Sequence, residues 1–186
     1  MRVEKMVVKT LAIAGFFGSV TLMSAQTATS PVKEQSEKMT QVTQQQTNPE
    51  IEALKKKLEA NPEDTQTMAQ LITKYQEAKD WNNALATTQK LSMLLPDWAP
   101  GYYSQGYLYQ MLKDDAKAKT AYETFISKVK PEELEESKKN LSYAHLFVAH
   151  QIYQADKEKA KEHIAKSLEY DATNEEAKKL KEYLNQ

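Results

Sequence analysis

Apolar residues from Ile51 onward recur at helical spacing, in runs separated by short polar stretches. Ile51, Leu54 and Leu58 fall at i, i+3 and i+7, a narrow stripe on one helix face. Asn48-Pro49-Glu50 stands just before it as a start signal: Asn caps, Pro suits the first helical position, and Glu50 and Glu52 suit the positive end. Pro131-Glu132-Glu133 opens another segment that nothing interrupts as far as Gln154. The spacing predicts one helix there, about 36 Å long at 1.5 Å per residue. A partner helix is predicted over about Lys157–Tyr170, with Ala160, Ile164 and Leu168 inward. Ala177, Leu180 and Leu184 form the single apolar stripe of a last helix in 174–186, whose other positions are mostly Glu and Lys.

Ahead of this region the pattern changes twice. Met1–Lys9 carries Arg2, Lys5 and Lys9 against one acid, Glu4, and Leu11–Met23 is an uncharged apolar run of 13 residues closed by Ser24-Ala25. A basic start, an apolar middle and a small-residue end form the signal-peptide pattern. The run is short for a spanning helix, which needs about 20 residues. Residues 1–25 are therefore expected to be a signal peptide cut after Ala25, with Ala28 the second choice, and an uncleaved anchor or a core helix the alternatives. Residues 26–47 are rich in Gln, Thr and Ser, with Ala28, Val32, Met39 and Val42 in no period. So little apolar surface predicts a disordered polar linker.

Subtraction of landmarks reveals a repeat. Pro62 to Pro96, Tyr75 to Tyr109 and Ala84 to Ala118 are each separated by 34 residues. One unit supplies Tyr102, Gly106 and Tyr109, then Ala118 and Tyr122; the unit before it supplies Met68, Leu71 and Tyr75, then Ala84 and Pro96. In this period and these residues the chain resembles the tetratricopeptide repeat (TPR) family over about residues 48–186. It departs from the pattern at Gln105, where Leu is expected, at Ile72, where a small residue is expected, and at Thr88, where an aromatic is expected. Ala118 to Ala160 is 42 residues, eight over the period. The extra length is placed ahead of the third unit's first-helix pattern, and that helix is expected to run roughly two turns longer than its equivalents. The resemblance implies an all-α fold: a short right-handed α-solenoid of antiparallel helix pairs, about 2.5–3 repeats with a C-terminal capping helix. Small residues at helix crossings (Gly106, Ala84 and Ala118) would let paired helices approach closely.

Composition narrows the function classes. The chain has 25 Lys+Arg against 26 Asp+Glu, without the basic excess a nucleic-acid-gripping protein concentrates on one face. It has no Cys, which excludes disulfides, thiolate zinc sites, a Cys nucleophile and a lipidated N-terminal Cys. Of three His, His145 and His150 lie five apart, off a shared helix face, and no HExxH spacing exists. Glu132-Glu133 and Glu135-Glu136 are read as partners of a helix dipole, and Trp81 and Trp98 as packing residues at helix starts. No phosphate loop, nucleophile elbow or triad is visible, so no enzyme, cofactor or metal is expected.

The resemblance implies that the first helix of each pair lines a concave groove holding a peptide or partner protein. The positions beside the core stripe are Gln66, Ala69, Thr73 and Gln76 in the first unit, then Tyr103, Tyr107, Gln110 and Met111, and finally His145, Ala149 and Tyr153. Groove candidates are therefore Tyr103, Tyr107, Gln110, Met111, His145 and Tyr153, with the two Tyr of the second unit one turn apart. The alternative for Tyr103 and Tyr107 is packing against a neighbouring helix, while Tyr102 and Tyr109 are expected in the core. The carboxylate clamp of Lys, Asn and Arg that some TPR proteins carry is not expected, because Gln, Ala, Thr and Tyr occupy the corresponding positions. The expected role is an exported adaptor, periplasmic first and secreted or signal-anchored otherwise. It would bind protein rather than nucleic acid and touch the membrane only through an uncleaved signal segment. A self-associating structural component of an envelope assembly is the alternative.

Overall fold

A computed structural model describes residues 48–186; the signal peptide and linker expected over 1–47 lie outside the described residues. Eight α-helices follow one another in this part: α1 Pro49–Ala60, α2 Thr65–Glu77, α3 Trp81–Leu94, α4 Ala99–Met111, α5 Asp115–Lys128, α6 Leu134–Ile152, α7 Lys157–Tyr170 and α8 Glu175–Leu184. Each packs mainly on the helix before it and the helix after it, the contact pattern of a solenoid.

One kind of helix start recurs in all three pairs. Asp80, Asp114 and Asp156 cap α3, α5 and α7, each accepting from the backbone N–H three residues on, at 3.3, 3.1 and 3.0 Å. Four residues after each cap stands a fully buried alanine, Ala84, Ala118 or Ala160. Asn48 caps α1 through Glu50 N–H at 3.0 Å, with Pro49 in the first turn. The turns from α2 to α3 and from α4 to α5 match in detail. Lys79 and Lys113 adopt left-handed φ of 56° and 62°. The next amides, of Asp80 and Asp114, donate back to the carbonyls of Tyr75 and Tyr109 at 2.8 and 2.9 Å. This is the closure that usually employs glycine.

The third pair is built differently. The segment read as one helix from Pro131 begins with a 3-10 turn, Pro131–Glu133, and α6 proper runs 19 residues against 13 in α2 and in α4. The connection from α5 is short, so the extra residues lengthen α6 itself rather than the path leading to it.

Packing explains the departures from the repeat pattern. Thr88 is fully buried where an aromatic is expected, and its hydroxyl donates to the Ala84 carbonyl at 2.8 Å, which removes the cost of an unpaired polar group. Ile72 is also fully buried, with Met68 and Leu91 in its cluster. Gly106 marks a close approach: a Cβ there would lie 2.6 Å from the Tyr122 ring. Gly101 marks a second that the repeat pattern does not contain, 2.8 Å from Ser92 Oγ and 2.9 Å from the Trp98 ring. Tyr102 and Tyr109, expected in the core, are half-buried. Their hydroxyls reach the surface, where Tyr102 donates to the Pro96 carbonyl at 3.1 Å and Tyr109 accepts from Gln89 at 2.8 Å.

Candidate functional site

The first helices α2, α4 and α6 carry the groove candidates, and packing assigns them to several environments. Tyr103 is drawn inward. Its ring meets Tyr122, Phe125 and Tyr143 edge-on, at centroid distances of 5.5, 5.2 and 6.3 Å. Burial pushes the Tyr103 and Tyr122 hydroxyls well above the ordinary tyrosine range.

Gln110 gives this aromatic cluster its polar contacts. Its Oε1 accepts from the Tyr122 hydroxyl at 2.6 Å, and its Nε2 donates to the Tyr143 hydroxyl at 3.0 Å. One amide thus satisfies a buried phenol and a half-buried one and ties α4 to α5 and α6. Phe147 completes the cluster against Tyr122 at 5.1 Å.

One turn after Tyr103, Tyr107 belongs to a different environment. It is half-buried, and its ring stands perpendicular to Trp81 of α3 at 6.3 Å. Met111, the last residue of α4, is exposed. On α2, Gln66 is exposed, while Ala69, Thr73 and Gln76 are half-buried; Thr73 donates its hydroxyl to the Ala69 carbonyl at 3.2 Å.

On α6 the candidates divide again. Ala149 is fully buried against α7 and α8. His145 is buried in the seam between α6 and α7, its Nδ1 3.0 Å from Nδ1 of His163. Tyr153 lies at the far end of the stack, edge-on to Tyr183 of α8 at 6.0 Å. The residues that reach solvent from the first helices, Tyr107, Met111 and Tyr153, therefore do not share one aromatic cluster with Tyr103.

Sequence reasoning missed the partners that decide these positions. Tyr143 lies on α6, where the period is broken, and neither its contact nor Gln110's role could be read from spacing, because both depend on two helices arriving on either side of one amide. His163 pairs with a residue 18 positions away on another helix and has no spacing signature. Among the described residues, no three His, Asp or Glu side chains converge in a group able to hold a metal ion. No described helix is long and apolar enough to cross a membrane.

No family model matches the chain, and no curated protein matches it. Among solved structures it is similar to the C-terminal part of a TPR repeat-containing protein from Cytophaga hutchinsonii, with a TM-score of 0.62 and 24% identity over 69% of this chain. The match spans 51% of that structure, about half its length. The helix-pair stacking and this likeness agree on the architecture: an all-helical, TPR-like solenoid.

Proposed function

We propose that this protein is a non-catalytic interaction module, exported to the cell envelope, that holds a peptide or partner protein against the outward face of its first helices. The observation that carries the reading is the TPR-like stack itself, an architecture suited to presenting a row of helices to a partner. On that face Tyr107, Met111 and Tyr153 offer aromatic and flexible apolar area to a ligand, while Tyr103 and Gln110 hold the helices beneath it. Export rests on the basic, apolar and small-residue succession of residues 1–25.

The test is crosslinking capture from the native envelope with the full chain and, in parallel, a Tyr107→Ala, Met111→Ala, Tyr153→Ala form. Tyr103 and Gln110 are left intact, because removing them would unpack the stack and lose every partner for the wrong reason. A partner captured by the first form and lost by the second supports an adaptor binding there. The same partners with both forms move the site elsewhere. Fractionation of the host tests export directly, since a chain kept in the cytoplasm with its first 25 residues intact contradicts it.

Self-association is the second reading, favoured by Tyr183, which stands 59% exposed beside Tyr153 at the end of the stack. Self-crosslinks alone, with a mass by light scattering that rises with concentration, would favour it.

A further inference from the structure

The seam between α6 and α7 holds a pair of imidazoles that the proposed binding face does not use. His145 comes from α6 and is 7% exposed; His163 comes from α7 and is half-buried. Their Nδ1 atoms are 3.0 Å apart, whereas their ring centroids are 5.1 Å apart. The nitrogens therefore lie between the rings and face one another. One Nδ1 carries a hydrogen and donates, and the other accepts with its lone pair. A metal ion bound by both would need the two lone pairs to converge on a third point instead. Tyr170 closes the other side of His145, with its ring centroid at 5.8 Å.

We propose that His145 and His163 form a pH-operated latch on the last helix pair, fastening α7 to α6 while one Nδ1 hydrogen lies between them and releasing it when both rings are protonated. The chemistry proceeds in two steps. The first added proton goes to the free Nε2 of the donating ring and leaves the bond intact, strengthened by charge. The second must land on the accepting Nδ1, which sets two N–H groups against each other and two positive rings in contact.

The surroundings do not favour that second proton. Facing the pair are Lys119 and Glu123 from α5, and Lys159, Glu162, Lys166 and Glu169 from α7. Cations and anions balance, and four of these groups are already paired, Lys119 with Glu123 at 2.9 Å and Lys166 with Glu169 at 2.7 Å. Burial, with the neighbouring ring second, pushes His145 down to about 4, and burial likewise pushes His163 down.

Release reaches beyond the pair. A buried hydroxyl bond, Ser142 to Ser167 at 3.1 Å, joins α6 to α7, and Asn174 at the start of α8 donates to Ser142 at 3.0 Å. Ala177, Leu180 and Leu184 of α8 pack in one cluster with Ile164 and Leu146. Opening the seam therefore loosens α7 and α8 together and leaves α2 to α4 packed.

The test uses the full chain, a His163→Gln form and a His145→Leu form. Imidazole NMR between pH 7.5 and 3.5 should show His145 and His163 titrating in two separated steps in the wild type, and His145 in a single step, displaced to higher pH, in His163→Gln. Hydrogen exchange, corrected for its intrinsic pH dependence, should show at least tenfold loss of protection confined to α7 and α8 across that range, and His145→Leu should flatten the change. Independent titration, with His145 unmoved by His163→Gln, would overturn the proposal. So would a parallel loss of protection in wild type and His145→Leu, which indicates packing alone. Copper or zinc chloride at neutral pH should leave the wild-type unfolding midpoint unchanged; a rise abolished by His163→Gln would make the pair a chelate and overturn it too.

Discussion

Gly106→Ala is the sharpest test of the packing. A Cβ at this position would lie 2.6, 2.7 and 2.8 Å from three ring atoms of Tyr122, where carbon atoms prefer about 3.5–4.0 Å. Tyr122 cannot yield cheaply. It is fully buried, its hydroxyl is held by Gln110 at 2.6 Å, and Tyr103, Tyr143 and Phe147 flank its ring. Relieving the clash needs a ring shift of roughly 1 Å, which places the overpacking cost at the upper end of the usual range, about 3 kcal/mol. Alanine returns about 1 kcal/mol of helix propensity. The net expectation is a loss of about 2 kcal/mol, a fall of about 5–10 °C in Tm for a domain of this size. The assay is urea unfolding followed by far-UV circular dichroism, run as a double-mutant cycle with Tyr122→Leu. In the Leu background the clashing ring is gone, and Gly106→Ala should become neutral or mildly stabilising. A neutral or stabilising effect in the wild-type background would refute the crossing, because propensity would then act alone.

Ala118→Trp should cost several kcal/mol by overpacking, since Ala118 is fully buried in the same cluster; an unchanged thermal midpoint would contradict the register. Lys113→Gly should stabilise by about 0.5–1 kcal/mol, read as a higher urea midpoint, because Lys113 holds a φ of 62° that costs a side chain and not glycine. Asn174→Ala should cost about 1–2 kcal/mol, as it removes both the cap to Ala177 N–H at 3.0 Å and the bond to Ser142. Stability should also depend on pH through His145. Its folded pKa, lowered from 6.5 to about 4, means that the unfolded chain binds the proton first. Stability present above pH 6.5 is then lost progressively as pH falls towards 4, visible as a falling urea midpoint, and a midpoint constant across that window would contradict it.

Much of the architecture was written in local chemistry. Caps, helix formers and the buried alanines act within a few residues of themselves, so Asn48-Pro49, the Ala160-Ile164-Leu168 and Ala177-Leu180-Leu184 stripes and the 34-residue landmarks placed helices to within a turn. The period also named Gly106 as a crossing, because a repeat reuses one packing geometry. Where the period broke, reading by register weakened. The extra residues lengthened α6, and its faces were then set by what it met: Tyr143 turned to Gln110 of α4, and His145 turned to His163 of α7.

The tertiary structure alone decided which candidates are surface and which are scaffold. Tyr103 and Tyr107 are one turn apart, indistinguishable as residue types and both half-buried, yet the first packs among the aromatics of α5 and α6 while the second packs toward Trp81 and the cluster of α1 to α3. The His145–His163 proton, the Gln110 bridge and the Gly101–Trp98 contact share this origin. Sequence determines what a side chain can offer and the local helix that carries it. Whether that side chain ends as anchor, bridge or binding surface depends on which other helix arrives within a few ångströms, and close packing fixes that only once the whole stack is assembled.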